Sequence, residues 1–216
     1  MRGRKKSEET RLAILRCAAA VFAERPYHEV LTEELSARLK IGKGTLYRYF
    51  DSKEELYFAT VVQGLQGMRE AISEVLRQEA PLERRIEALA RTIIGYFWER
   101  RDFFVLLHRH EPKLDPGERA EWQKGREELV DMVAAALAKE MRARANATVD
   151  PRLAVEMLFG MIRAVCLYRA ESDRIEDLAR QVSAIFLGGV LSGRRPAAIS
   201  DRGPAGRLGA VRRGGS

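Results

Sequence analysis

Apolar positions recur along most of the chain at spacings of three and four, the period of an amphipathic helix. Leu12, Leu15, Ala19 and Phe22 make the first stripe, widened by Ile14, Ala18 and Val21. Ser7 with Glu8 and Glu9 predicts its start, a capping hydroxyl followed by acids against the positive end of the dipole. Pro26 predicts its end near residue 24. Thr32, followed by Glu33 and Glu34, opens a second helix with Leu35 and Leu39 inward, cut short by Gly42 and Gly44. A third is predicted from Gly44 to Phe50, where Leu46 and Phe50, four apart, share one face. Ser52 and Glu55 fit an S-x-x-E capping box, so a long helix should run from Lys53 to about Gln78. Three compact helices by residue 50, the last two joined by a tight turn, spell helix-turn-helix.

The chain beyond residue 80 continues in the same period. Pro81 and Leu82 begin a helix to Arg101 with Ile86, Leu89, Ile93, Ile94 and Phe97 inside. A shorter segment, DFFVLLHRH, ends at Pro112. Pro116 and Gly117 open another helix, which carries Trp122, Leu129, Met132, Val133, Ala136 and Leu137. PRLAVEMLFGMIRAVCLYRA is apolar nearly all round, which a helix tolerates when covered on two sides. One seam holds Leu153, Met157, Gly160, Ala164 and Leu167; another holds Leu158, Ile162 and Val165. In the final helix Leu178, Val182, Ile185, Phe186 and Gly189 are read as one face. Gly188 and Gly189 each cost about 1 kcal/mol in a helix interior, so their presence beside an apolar seam points to close helix approach. The reading is an all-α chain: a basic N-terminal arm (1–8), a helix-turn-helix domain (9–55), a larger helical bundle (56–192) and a disordered basic tail (193–216).

Composition agrees, with Leu, Ala, Glu and Arg outweighing runs of Val, Ile and Thr across 216 residues. The net charge of +7 divides unevenly. Residues 1–60 carry 12 basic and 9 acidic side chains, residues 61–192 carry 20 and 21, and residues 193–216 carry 6 and 1. A basic end on a neutral body suits a polyanion-binding module joined to something with another task. No stretch approaches the roughly 18 apolar residues of a membrane span, and MRGRKKSEET lacks the apolar run of a secretory signal. Cys17 and Cys166 sit in apolar helical patterns, so reduced, inert thiols and a cytoplasmic address are expected.

The stretch IGKGTLYRYFDSKEELYF carries the most specific chemistry. A DNA-reading helix lies in the major groove, where small residues at its start permit close backbone approach. Gly42 and Gly44 suit that need. With Leu46 and Phe50 inward, Lys43, Tyr47 and Arg48 are left on other faces and Tyr49 at a flank. GKGTLYRYFDSKEELYFA, with Thr32, the Leu35-to-Leu39 helix and Ile41, resembles the DNA-binding domain of the TetR family of bacterial transcriptional regulators. The likeness is specific from about Thr10 to Ala59. It implies a nine-helix, two-domain homodimer, usually a repressor released by a small molecule. It also implies that Thr32, Tyr47 and Lys53 meet phosphates, and that Lys43, Gly44, Thr45 and Tyr49 face base edges or the groove wall, with Arg48 an added contact. Two positions depart from the pattern: Lys40 stands where the turn usually has glycine, and Gly42 where it has a polar cap. Since Lys at positive φ is uncommon, the turn is expected to be reshaped, with Gly42 supplying the flexibility. Arg2, Arg4, Lys5 and Lys6 read equally as an arm to the phosphates or as a solvated end.

Other constellations are weaker. Gly42-Lys43-Gly44-Thr45 lacks the spacing and the preceding strand of a phosphate-binding loop. His108 and His110, two apart, point in different directions on a helix, so no metal or cofactor is expected. No nucleophile–base pair or carboxylate cleft is visible, which argues against an enzyme. The resemblance places a small-molecule cavity among the middle helices, with Phe97, Phe104, His108, Trp122, Met132 and Arg163 as candidate contacts. It pairs the last two helices of each subunit as a four-helix bundle through Leu153, Met157, Gly160, Ala164, Val182, Ile185, Phe186 and Gly189. Two recognition helices would then stand ~34–36 Å apart on an inverted repeat in double-stranded DNA. The expected function is a dimeric repressor that a largely apolar effector releases. The alternatives are an activator, a non-specific architectural protein and, remotely, a helical-bundle enzyme.

Overall fold

The computed structural model describes residues 2–108, 116–144, 149–169 and 173–191. Its described residues form nine α-helices and one 3-10 turn, with no strand. The helices are α1 (Arg2–Glu24), α2 (Thr32–Leu39), α3 (Lys43–Leu46), α4 (Lys53–Arg77), α5 (Leu82–Glu99), α6 (Arg101–His108), α7 (Pro116–Arg144), α8 (Pro151–Tyr168) and α9 (Ile175–Leu191). The expected basic tail at 193–216 lies outside the described residues.

Most predicted boundaries hold, and four differ for physical reasons. α1 starts at Arg2 rather than at a Ser7 cap, so the basic N-terminal residues continue the helix. The Ser7 hydroxyl donates instead to Tyr49 Oη at 3.4 Å. α3 is a single α-turn that tightens after Leu46: Arg48 and Tyr49 donate to Thr45 and Leu46 three residues back. α5 ends at Glu99, short of the expected Arg101, because the backbone breaks at Arg100 (φ −124°, ψ 58°) ahead of the separate α6. The α2–α3 turn also corrects the expectation for Gly42. Lys40 itself takes the left-handed conformation (φ 53°, ψ 40°), while Gly42 is extended (φ −68°, ψ 148°). Lys40 N–H donates to Ala37 O and Ile41 N–H to Ser36 O, a Schellman ending that satisfies two orphan carbonyls and holds the lysine there.

Two cores follow from these stripes. The first gathers Ile14, Ala18 and Phe22 of α1 with Leu35, Leu46 and Phe50, all almost fully buried. It also takes Leu56, Tyr57 and Val61 from the first turns of α4, and Leu106 from α6. The second core fills the bundle of α4, α5, α7, α8 and α9, centred on Ile86, Leu89, Ile94, Leu137 and Leu158. Leu65 and Leu107 pack against both. Where α4 passes α5 and α6, side chains give way to backbone. Tyr96 Oη donates to Gly64 O at 2.8 Å, and a Cβ on Gly64 would overlap the Phe103 ring.

Ion pairs and caps fix the first unit. Arg38 reaches both oxygens of Glu24 at 2.8 and 2.6 Å and Glu34 at 3.0 Å, tying α2 to α1, and Arg25 adds a second bridge to Glu34 at 2.6 Å. Ser52 Oγ accepts from Glu55 N–H at 3.0 Å, and the Glu55 carboxylate returns to Asp51 N–H. The predicted capping box is therefore present, shifted by one residue on its return bond.

Candidate nucleic-acid interface

Burying Leu46 and Phe50 on the first core turns the other sides of the α3 segment outward. Gly42, Lys43, Gly44, Tyr47 and Arg48 are exposed, and Thr45 is half-buried. A Cβ at Gly44 would meet nothing within 4 Å, so the backbone there is open to close approach. Tyr47 retains 39% of its surface, so its ring does not fill the core. Tyr49 is half-buried against the first core. The Ser7 hydroxyl, and Thr10 and Arg48 behind it, hold its phenol below the usual tyrosine range against a smaller opposing effect of burial.

The polar groups on this face are already partnered with one another. Thr32, buried at the start of α2, shares a 3.1 Å hydrogen bond with Tyr47 Oη. The Lys43 ammonium pairs with the Glu33 carboxylate and lies 5.9 Å from the Tyr47 ring centroid. That pairing lowers the Glu33 carboxyl and raises the Lys43 ammonium. Lys53 is differently employed: its Nζ donates to Tyr27 O and Val30 O, both at 3.0 Å, and stands 4.2 Å from the Tyr27 ring centroid. It clasps the α1–α2 connection to the start of α4. Glu33 is the residue that reading the chain alone missed, because an acid in a helix's first turn already has a capping explanation.

A cavity of about 400 Å³ opens between α4, α5, α6, α7 and α8. Of the candidate contacts, Phe97, His108, Trp122 and Arg163 line it. Two expectations are corrected. Phe104 is 2% exposed, packed into the bundle core and against the His108 ring, and Met132 turns its sulfur to the Ser73 hydroxyl at 3.2 Å. The lining adds Met68, Arg126, Glu156 and Phe159. Arg126 follows Trp122 by four residues, and Glu156, Phe159 and Arg163 follow a helical stripe, so the period could have found them. His108 Nδ1 lies 2.8 Å from Phe104 O; a carbonyl only accepts, so Nδ1 carries the proton.

The last two helices leave an apolar surface bare. On α8, Leu153, Met157, Gly160, Ala164 and Leu167 are all exposed, Met157 by 60%. On α9, Ile185 is 67% exposed, and a Cβ at Gly188 or Gly189 would meet nothing within 4 Å. The single-face reading of α9 is corrected. Val182 and Phe186, each 4% exposed, belong with Leu178 to the subunit's own core, while Ile185 and Gly189 point the other way. Gly160 also borders the cavity.

Comparison with known proteins agrees with this architecture. Residues 14–60 match the family described as bacterial regulatory proteins, tetR family, and residues 79–190 match the tetracyclin repressor-like C-terminal domain. The chain is 25% identical over 126 residues to the transcriptional activator FasR of Mycolicibacterium smegmatis, covering 58% of each protein. It is 32% identical over 97 residues to the transcriptional repressor Rv3405c of Mycobacterium tuberculosis, covering 41% of this chain and 50% of that one. The chain thus spans about half the length of these curated relatives. Among solved structures, the TetR-family regulator PfmR of Thermus thermophilus superposes with a TM-score of 0.70 at 24% identity, covering 85% of this chain and 99% of that one. AibR, solved with isovaleryl coenzyme A and operator DNA, gives 0.69 at 23% identity over 81% and 96%. At those identities the structures speak for the fold, and the C-terminal match alone spans more than half of the chain. The chain belongs to the TetR family of bacterial transcriptional regulators.

Proposed function

We propose that the protein is a cytoplasmic, homodimeric, ligand-responsive regulator that represses transcription from an inverted-repeat operator; it is a binding protein and not an enzyme. One observation carries this reading: the α3 segment buries Leu46 and Phe50 and holds out Lys43, Gly44, Tyr47 and Arg48 on one solvent-facing side. Such a rod fits a major groove, with Tyr47 and Thr32 on phosphates and Lys43, Gly44, Thr45 and Tyr49 toward base edges. Lys53 contributes by holding the connection that carries α2. The bare seam of α8 and α9 supports pairing with a second copy, which sets the distance between the two rods. The cavity is walled by α6, whose Leu106 is embedded in the DNA-reading core. Its occupant can therefore bias how that core sits on its bundle. Linkage then requires DNA and effector to weaken each other equally.

Footprinting on selected genomic fragments tests it: protection should fall on discrete inverted repeats, whereas even coverage would favour an architectural protein. Tyr47→Ala and Arg48→Ala should each weaken operator binding in a gel shift while leaving the thermal melt in place. An activator is favoured by the likeness to FasR, named as one. Transcription in vitro from a template carrying the footprinted site separates the two, since repression falls and activation rises with added protein.

A further inference from the structure

The chemistry of the effector is written in the charges around the cavity. Its walls are apolar, chiefly Met68, Ile93, Phe97, Leu129 and Phe159. Two arginines, Arg126 on α7 and Arg163 on α8, line the same space, and both are exposed, so their heads sit where it meets solvent. Among the described residues neither guanidinium has an ion-pair partner, whereas Arg152 holds Asp131 at 2.7 Å and Arg69 holds Glu128 at 2.9 Å. Glu156 is the lone carboxylate of the lining, and Arg152 already stands 3.9 Å from it. The opening therefore carries a net positive charge that no described residue neutralises.

Resting on the regulator reading above, we propose that the cavity takes an amphipathic anion, an apolar chain seated between α4, α5 and α8 with its acidic head bridging Arg126 and Arg163. Guanidinium forks suit carboxylate or phosphate oxygens and form bonds about twice as strong as neutral ones. A neutral molecule of the same shape would fill the walls and leave both charges as they are. Bridging also joins α7 to α8, the helix bearing the bare apolar seam, so head-group binding acts on the surface offered to a second copy.

The test uses full-length protein at about 0.15 M salt and four probes with one twelve-carbon chain: dodecanoate, dodecanoyl-coenzyme A, dodecan-1-ol and dodecylamine. Binding is followed by Trp122 fluorescence, with Trp122→Phe as the control for signal origin, and confirmed by calorimetry. One or both anions should bind roughly 10- to 100-fold tighter than the alcohol, and the amine weakest. Which anion wins distinguishes a free acid from a thioester whose phosphates supply the charge. In the Arg126→Gln, Arg163→Gln double variant the anion should fall to the level of the alcohol, while the alcohol binds as before and so reports an intact cavity. Equal binding of alcohol and anions, anion binding that survives the double variant, or no binding of any probe overturns the proposal. Operator binding is scored separately. An anion that binds as predicted without releasing operator DNA supports the site and removes its effector role, whereas loss of operator recognition in the apo protein refutes the regulator reading itself.

Discussion

The Tyr47 hydroxyl and Thr32 Oγ1 lie 3.1 Å apart, fifteen residues distant in sequence, joining the start of α2 to the outer side of the α3 segment. With the Thr32 proton directed to the Glu33 carboxylate at 3.3 Å, Tyr47 Oη donates to Thr32 Oγ1 and keeps its own lone pairs for an outside donor. The buried Thr32 therefore presets the exposed Tyr47 hydroxyl, which would otherwise wander. Tyr47→Phe should weaken operator binding by about 5-fold, the worth of one ordinary hydrogen bond. In a double-mutant cycle with Thr32→Val the losses should be less than additive. Strict additivity in the gel shift would show that the two act alone.

Glu33 tethers Lys43 on the same face. Glu33→Gln releases that ammonium to any phosphate within reach. Affinity for a random duplex should rise, and the slope of log K against log salt should steepen by about 0.9. A slope unchanged within error would mean that Lys43 never reaches the backbone.

The left-handed Lys40 is strained for a side chain with a Cβ. Lys40→Gly relieves that strain but loosens the unfolded chain, so a gain of up to about 1 kcal/mol in urea unfolding is expected. Lys40→Val should lose more than about 1 kcal/mol, the extra cost of a β-branched residue there. If both variants melt like the parent, the turn does not need its positive φ.

Gly64 lies against the Phe103 ring and beneath Tyr96. Gly64→Ala adds helix propensity and yet should destabilise by about 1–3 kcal/mol through overpacking. Phe103→Leu in the same chain should recover part of the loss. Recovery is the diagnostic, because a backbone effect alone would not respond to residue 103.

Ile185 is solvent-facing in one subunit. Ile185→Asp should shift the solution mass by light scattering from a dimer toward the 24.5 kDa of a single chain, and weaken operator binding with it. Lys139→Asp, on exposed α7 surface, serves as the charge control. A dimer that survives Ile185→Asp would place the twofold contact elsewhere.

Nearly every helix was legible because its apolar residues repeat at 3.6 and its ends carry local signals, such as Ser52 before Lys53. Errors arose where a long-range contact outweighed the local cue. Ser7 looks like a cap, but its hydroxyl goes to Tyr49, forty-two residues away. Lys40 looks wrong for a left-handed turn, yet the two backbone bonds of the helix ending fix it there. On α9 the apolar residues lie on opposite sides, and no count of hydrophobicity separates Val182, which faces inward, from Ile185, which faces out. The α3 surface was readable because Leu46 and Phe50 left few choices. The Glu33–Lys43 pair was not, since it joins two helices across the left-handed turn at Lys40, which no local period reports.

Leu106 is 2% exposed within a core otherwise built from residues 14 to 61. The DNA-reading head is therefore not a finished object when its own helices have been translated. A fragment ending after α4 would show water a hole where that leucine belongs, and a nascent chain must wait for α6 before its head can close. The head and the bundle are thus joined at birth by Leu106, with Leu65 and Leu107 wedged between the two cores beside it.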